Sequence, residues 1–197
     1  MHLGVFLGIL GLMFVLELPD KTFIAMVVMS TRARPGMIFL GSVVAFILQM
    51  ALAVAAGSLL TLFPSHIKDL IVGTLFLAGA AYLLLVKEKA EEEEGTREGL
   101  EEHSGTRWKE ASTAFAVIFI GEFGDLTQIQ AANFEAKLHQ PLEVFLASSV
   151  AMITVAALGS YGGLALQRYI PLARIRFAGG LIFAGLGLYT LIHLALS

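Results

Sequence analysis

Along this chain the apolar residues fall into blocks of 20 or more, separated by short polar runs, and a helix needs about that length to cross roughly 30 Å of hydrocarbon. Six blocks are expected as transmembrane helices, at 3–29, 36–63, 67–86, 111–136, 142–166 and 172–196. The first gap, Thr31-Arg32-Ala33-Arg34-Pro35-Gly36, is punctuated by Pro and Gly, and its arginines mark a membrane edge. Pro64-Ser65-His66 makes the second, equally tight gap. The chain begins Met1-His2-Leu3, with no basic leader or Ala-x-Ala cleavage signal, so the first block is read as a retained helix.

One long polar stretch breaks the pattern. Residues Lys87 to Glu110 hold nine Glu against five Lys or Arg and almost no large apolar side chain, too little to bury for independent folding. It is expected to be a solvated linker between two halves, with a cation-collecting or regulatory segment as the sharper alternative.

The two halves repeat. At a shift of 105, Glu17, Asp20 and Thr22 fall on Glu122, Asp125 and Thr127; at 106, Pro35 and Ser42 fall on Pro141 and Ser148; at 107, Gly73, Phe76 and Tyr82 fall on Gly180, Phe183 and Tyr189. Three spans per half is an odd number, so the second half must enter the membrane from the opposite side. The expected fold is therefore an all-α integral membrane protein of six transmembrane helices in two inverted-topology three-helix repeats. Its parts are residues 1–86, the acidic linker 87–110, and residues 111–197. Transporters built this way keep their sites where the repeats meet.

Composition agrees with a lipid solvent: 57% of residues are hydrophobic and 15% charged, against about 25% charged in soluble domains. The absence of cysteine excludes disulfides, thiolate metal sites and cysteine nucleophiles. The net charge of -3 carries no nucleic-acid footprint. In alternate loops, Arg32, Arg34, Lys87, Lys89, Arg97, Arg107, Lys109, Arg168, Arg174 and Arg176 face one side, and Lys68 and Lys137 the other. That bias puts the central loop in the cytoplasm and both termini outside. A short chain without a targeting segment fits a bacterial inner membrane.

The chemistry sits in the middle of the first and fourth blocks. Phe14-Val15-Leu16-Glu17-Leu18-Pro19-Asp20-Lys21-Thr22-Phe23 and Phe119-Ile120-Gly121-Glu122-Phe123-Gly124-Asp125-Leu126-Thr127-Gln128 each place a Glu and an Asp three residues apart, on one helical face. A charge at the centre of a transmembrane helix costs about 2.5–3.5 kcal/mol, so four acids facing lipid would cost about 10 kcal/mol. They must face protein, water or an ion. Carboxylates and hydroxyls without thiolate or imidazole suit hard cations such as Mg²⁺, Ca²⁺ and Mn²⁺ and disfavour zinc or copper; His2 and His193 read as interfacial.

Pro19 cannot donate to the carbonyl of Val15 and interrupts a regular helix, and Gly124 stands in the matching place. Both spans are expected to unwind there, with a plain kink at Pro19 as the alternative. Lys21, one turn after Glu17, offsets part of the negative charge, and Leu126 replaces it in the second copy. With all acids ionised the two motifs sum to -3, enough to hold a divalent ion. Protonation of the same groups offers a route to exchange metal for protons. Thr22, Thr127 and Gln128 adjoin the acids, while Ser42, Gln49, Asn133, Ser148 and Ser149 lie farther along.

At these motifs the chain resembles the family of cation/proton exchangers that includes the animal Golgi manganese transporter, its yeast Gdt relative and the thylakoid manganese transporters. That family is marked by two copies of Glu-x-Gly-Asp-(Lys/Arg)-(Thr/Ser). The likeness runs over nearly the whole chain, with two departures: Pro19 where the family has Gly, and Leu126 where it has Lys or Arg. The resemblance implies a secondary transporter that exports Mn²⁺ from the cytosol against protons, with Ca²⁺ as the alternative cargo. It implies Glu17, Asp20, Glu122 and Asp125 as metal carboxylates, with Thr22, Thr127 and Gln128 as neighbouring oxygen ligands; Lys21, Pro19 and Val15 are expected as modulators on the helix chemistry given above. No resident cofactor is expected. The partners are a divalent cation, protons, the bilayer and, as an open option, a second copy of the chain. A metal-binding membrane subunit that moves no ion is the competing class. An enzyme is not expected, since His-Glu-x-x-His and Gly-x-Ser-x-Gly are both missing.

Overall fold

The computed structural model describes residues 3–18, 20–85, 96, 106–167 and 172–196. Pro19 and nearly all of the linker lie outside the described residues, and so do the expectations placed on them. The elements are α1 (Leu3–Glu17), α2 (Lys21–Arg32), α3 (Pro35–Leu60), α4 (Ser65–Leu85), α5 (Arg107–Gly121), α6 (Leu126–Leu138), α7 (Pro141–Gln167) and α8 (Leu172–Leu196). Among the described residues there is no strand.

The helix starts follow local chemistry. Pro35 and Pro141 open α3 and α7, where the missing N–H is no loss because first-turn donors have no intrahelical partner. Thr106 holds the extended backbone that precedes α5, so that helix begins at Arg107, four residues before the edge set by hydropathy. The blocks at 3–29 and 111–136, in which the sequence expects an unwound stretch, are each two helices: α1 ends at Glu17 and α2 starts at Lys21, and α5 ends at Gly121 and α6 starts at Leu126.

Helix α3, with 26 residues, and α7 over Pro141–Gly162 are long and apolar enough to cross a membrane. The α1–α2 pair meets the same test as one broken span bent by 64°, and Gly180–Leu196 is a shorter apolar stretch. The protein is thus an all-helical integral membrane protein.

Hydrophobicity does not choose the buried face of α3, since the helix is apolar nearly all round; small residues set its closest approaches, with Ile38, Phe46 and Met50 buried beside them. Gly41, Ser42, Ala45, Gln49 and Ala53 face inward, whereas Leu40, Val44, Ile47, Leu48 and Leu52 are exposed. Lipid is as apolar as leucine, so small residues that let backbones approach define the interface. Gly41 marks the closest point: a Cβ there would collide with the backbone of Ala111 and Phe115 on α5.

The packing is paired. Helix α3 lies against α5 and α6, α7 lies against α1 and α2, α3 crosses α7, and α4 packs on α8 at the side. Three contacts fix a direction: Arg34 meets Glu110, Gln49 meets Ile118 and Phe119, and Ser58 meets Glu135. The broken pair α5–α6 therefore runs alongside α3 in the same sense. One core gathers Met13, Phe23, Met26, Phe46, Met50 and Met152, and a smaller one under α4 and α8 gathers Leu16, Val72 and Phe76.

Gly41→Leu should destabilise the protein by about 1–3 kcal/mol, the usual cost of overpacking, while Leu48→Val on the lipid face should change little. Unfolding of both variants in detergent, followed by circular dichroism, checks this.

Candidate metal centre

Each motif lies where its span is broken. Helix α1 ends at Glu17 and α2 begins after Asp20, whose extended backbone and Oδ1, 2.7 Å from the Lys21 N–H, cap the new helix. In the second copy α5 ends at Gly121, and Asp125 occupies the position before α6. Gly124 adopts φ 82°, a left-handed conformation that a side chain would resist and that lets the chain turn between the two helices.

A broken helix leaves backbone groups without their usual partners. The Phe123 N–H bonds the Ile120 carbonyl rather than that of Phe119. The Phe119 carbonyl is taken instead by the buried Gln49 amide of α3 at 3.1 Å, which also lies 3.3 Å from the Ile118 carbonyl. Gln128 closes the other side, donating to the Glu122 carbonyl at 3.0 Å and accepting from the Gly124 N–H at 3.1 Å. The amide expected to face an ion thus braces the break, and its oxygen is engaged by Gly124. Val15 stays in the last turn of α1.

The two breaks meet. Glu17, Asp20 and Glu122 are buried, and each offers a carboxylate oxygen within 4.8 Å of the other two. Asp125 adjoins all three without joining that triangle, and its Oδ2 is buried without a hydrogen-bond partner. Oε2 of Glu122 is likewise without a partner, and the oxygens of Glu17 have only the Thr127 hydroxyl beside them, outside good hydrogen-bond geometry. The Thr22 hydroxyl of the first motif donates to Glu122 Oε1 of the second, and Thr127 stands beside Glu17. Each threonine therefore faces the glutamate of the other half. Lys21 adds one positive charge next to Glu17.

Such a set of oxygens matches a hard divalent ion. Calcium–oxygen distances of about 2.3–2.6 Å allow two ligands of one ion to lie at most about 4.6–5.2 Å apart, so oxygens within 4.8 Å of one another can share one. The N-terminal ends of α2 and α6 also point their positive dipole ends at the carboxylates, as half-helices do in transporter sites.

The acid pairs and the threonines are brought together as the sequence pattern expects. Three buried carboxylates outside the motifs went unnoticed in the pattern: Glu110, paired with Arg34 at 3.7 Å, Glu135, which accepts from Ser58 at 3.3 Å, and Glu143 in the first turn of α7. All three stand near block edges, where an acid reads as interfacial.

Gln49→Leu keeps the volume and removes the donor to α5. It should lower unfolding stability by about 1–3 kcal/mol, the cost of an orphaned buried carbonyl, and weaken metal binding by displacing Glu122. Unfolding curves and calorimetric titration with Mn²⁺ on the same preparation read both effects.

A model of the family described as divalent cation/proton antiporter GDT1 matches residues 5–91 and again residues 110–196. Two proteins of Schizosaccharomyces pombe are similar to the chain. GDT1-like protein C186.05c is 24% identical over 219 residues, covering 87% of this chain and 83% of the relative. GDT1-like protein C17G8.08c is 24% identical over 227 residues, covering 91% and 79%. No solved structure matches. With the same family model accounting for both halves, around the two breaks that bring the acids together, the chain belongs to the GDT1 family of divalent cation/proton antiporters.

Proposed function

We propose that Glu17, Asp20, Glu122 and Asp125 hold one divalent cation at the meeting point of the two halves and release it in exchange for protons, with Mn²⁺ as the principal cargo and Ca²⁺ as the second. The observation that carries this reading is the buried triangle of Glu17, Asp20 and Glu122, built from both breaks. Four carboxylates against one lysine leave the site at -3 when ionised, so a divalent ion or protons must balance it. Thr22 and Thr127 set the carboxylates of the opposite motif. Gln128 acts through the backbone of the break rather than as a ligand.

The architecture that serves this exchange is six spans in two inverted repeats, residues 1–86 and 111–197, joined by the acidic segment. Support comes from the pairing: α1 and α2 lie on α7 as α5 and α6 lie on α3. The α5–α6 span runs in the sense of α3, whereas α1–α2 joins α3 through the short turn at Ala33-Arg34 and so approaches it from the opposite sense. The loop charges favour a cytosolic central segment, which supports export as the direction of metal movement.

Metal and protons compete for the same oxygens, so affinity falls as pH falls, by about tenfold per pH unit for each proton displaced. Titration of Mn²⁺ into the purified protein at several pH values, followed by proton release, measures the number exchanged. In liposomes holding the full chain and an internal pH reporter, Mn²⁺ entry should drive protons the other way. Glu17→Gln and Asp125→Asn should each reduce that flux at least tenfold. Flux of Ca²⁺ alone would change the cargo, and no flux of either ion by a folded protein would leave a binding subunit that transports nothing.

A further inference from the structure

The two halves are alike at the motifs and unlike just beyond them. At the shift of 105 that superposes Thr22 on Thr127, α2 carries Ala25, Val28 and Ser30 where α6 carries Gln130, Asn133 and Glu135. The inner part of α2 is packed with apolar side chains, Phe23 to Val27 and Met29 all being buried. Ser30 is the one polar residue there before Thr31; its hydroxyl is buried without a partner, a single such group where α6 has several.

On α6 the same stretch buries polar groups that the protein does not satisfy. Asn133 Nδ2 donates to Gln130 Oε1 at 3.4 Å, and Ser58 donates to Glu135 Oε1 at 3.3 Å. Gln130 Nε2, Asn133 Oδ1 and Glu135 Oε2 then have no partner. At the end of α6, Gln140 Oε1 and Glu143 Oε1 are also buried and unpartnered. Each such atom has given up its hydrogen bonds to water, and a run of them along one half-helix calls for water or an ion to replace what was lost. A polar line of this kind holds water, whereas an apolar one stays dry.

The line leads to one end of the bundle. Ser58 lies near the C-terminus of α3 and Arg34 at its start, about 36 Å apart along a regular helix. At the Arg34 end Glu110 is held by an ion pair and by the Arg34 N–H, so that carboxylate is committed. At the other end Glu135 has the Ser58 hydroxyl and the Gln140 N–H beside it but, among the described residues, no Lys or Arg ion pair.

We propose that α6 is the wetted half of the transport path. In this reading Gln130, Asn133 and Glu135 line a water-filled route from the four carboxylates to the α6–α7 end, and α2 is the dry half. The proposal rests on the transport reading above. Glu135 takes a proton from water at that end and passes it, through water held by Asn133 and Gln130, to a site carboxylate whose cation has left; the reverse transfer returns it. The charged groups around that end are Lys68 and Asp69 of α4, Lys137 and His139 at the end of α6, and Glu143 of α7, with neutral Ser58 contributed by α3. Access from the Arg34 end requires the helices to separate, because α2 offers no polar line.

The chain has no cysteine, so one introduced thiol reports alone. In liposomes holding the full chain, Asn133→Cys should react with a charged methanethiosulfonate reagent at least tenfold faster than Val28→Cys. Gln130→Cys against Ala25→Cys repeats the comparison should one variant fail to fold. Equal or reversed rates overturn the wetted half. Glu135→Gln should slow Mn²⁺-driven proton movement at least tenfold while Mn²⁺ affinity at equilibrium stays within twofold. Unchanged flux, or affinity falling in parallel, overturns the relay alone. If the unsubstituted chain moves no ion, the transport reading fails and the relay with it, while the labelling rates still decide the route.

Discussion

Everything in this molecule turns on keeping four carboxylates out of lipid. A charge removed from water without a partner is among the most expensive things a bundle can contain, and none of the six oxygens in the Glu17, Asp20 and Glu122 triangle faces bulk solvent freely. Two broken spans, the hydroxyls crossing between halves and the single ammonium of Lys21 all act on that problem. None of them removes the surplus of negative charge, and in the function proposed above that surplus draws in a divalent ion and lets protons replace it.

The breaks are as much a part of the chemistry as the acids. An unbroken helix would put Glu and Asp on one face but leave its dipole spread over the whole span. Interrupting it at the motif brings helix ends to mid-bundle, where their partial charges act at short range. The interruption frees backbone groups that something must satisfy, and in the second span two glutamines do so: Gln49 from α3 on the Phe119 side and Gln128 on the Gly124 side. The first span has no counterpart of Gln49, since Val155 stands at the matching place in α7 at the shift of 106. One break is therefore pinned to its neighbouring helix by a side chain that the other lacks.

Duplication explains the likenesses, and divergence explains the rest. Equivalent helices keep equivalent neighbours, so the threonine of each motif finds the glutamate of the other. Away from the motifs the halves were free to differ. They did so next to the motifs, with apolar side chains along α2 and polar ones along α6.

The sequence by itself determined the all-helical class, the two acid pairs and their threonines, because lipid tolerates buried acids only for a reason and because the repeat shows in the spacing of Glu17, Asp20 and Thr22 against Glu122, Asp125 and Thr127. These are local facts, carried by helical periodicity and composition. Only the tertiary structure decided that Gln128 braces a break, that Gln49 reaches α5, that Thr22 crosses to Glu122, and that Glu135 is buried and half-satisfied. The reason is physical. In helices apolar on nearly every side, hydrophobic periodicity does not say which neighbour a buried side chain meets, and these contacts join residues far apart in the chain.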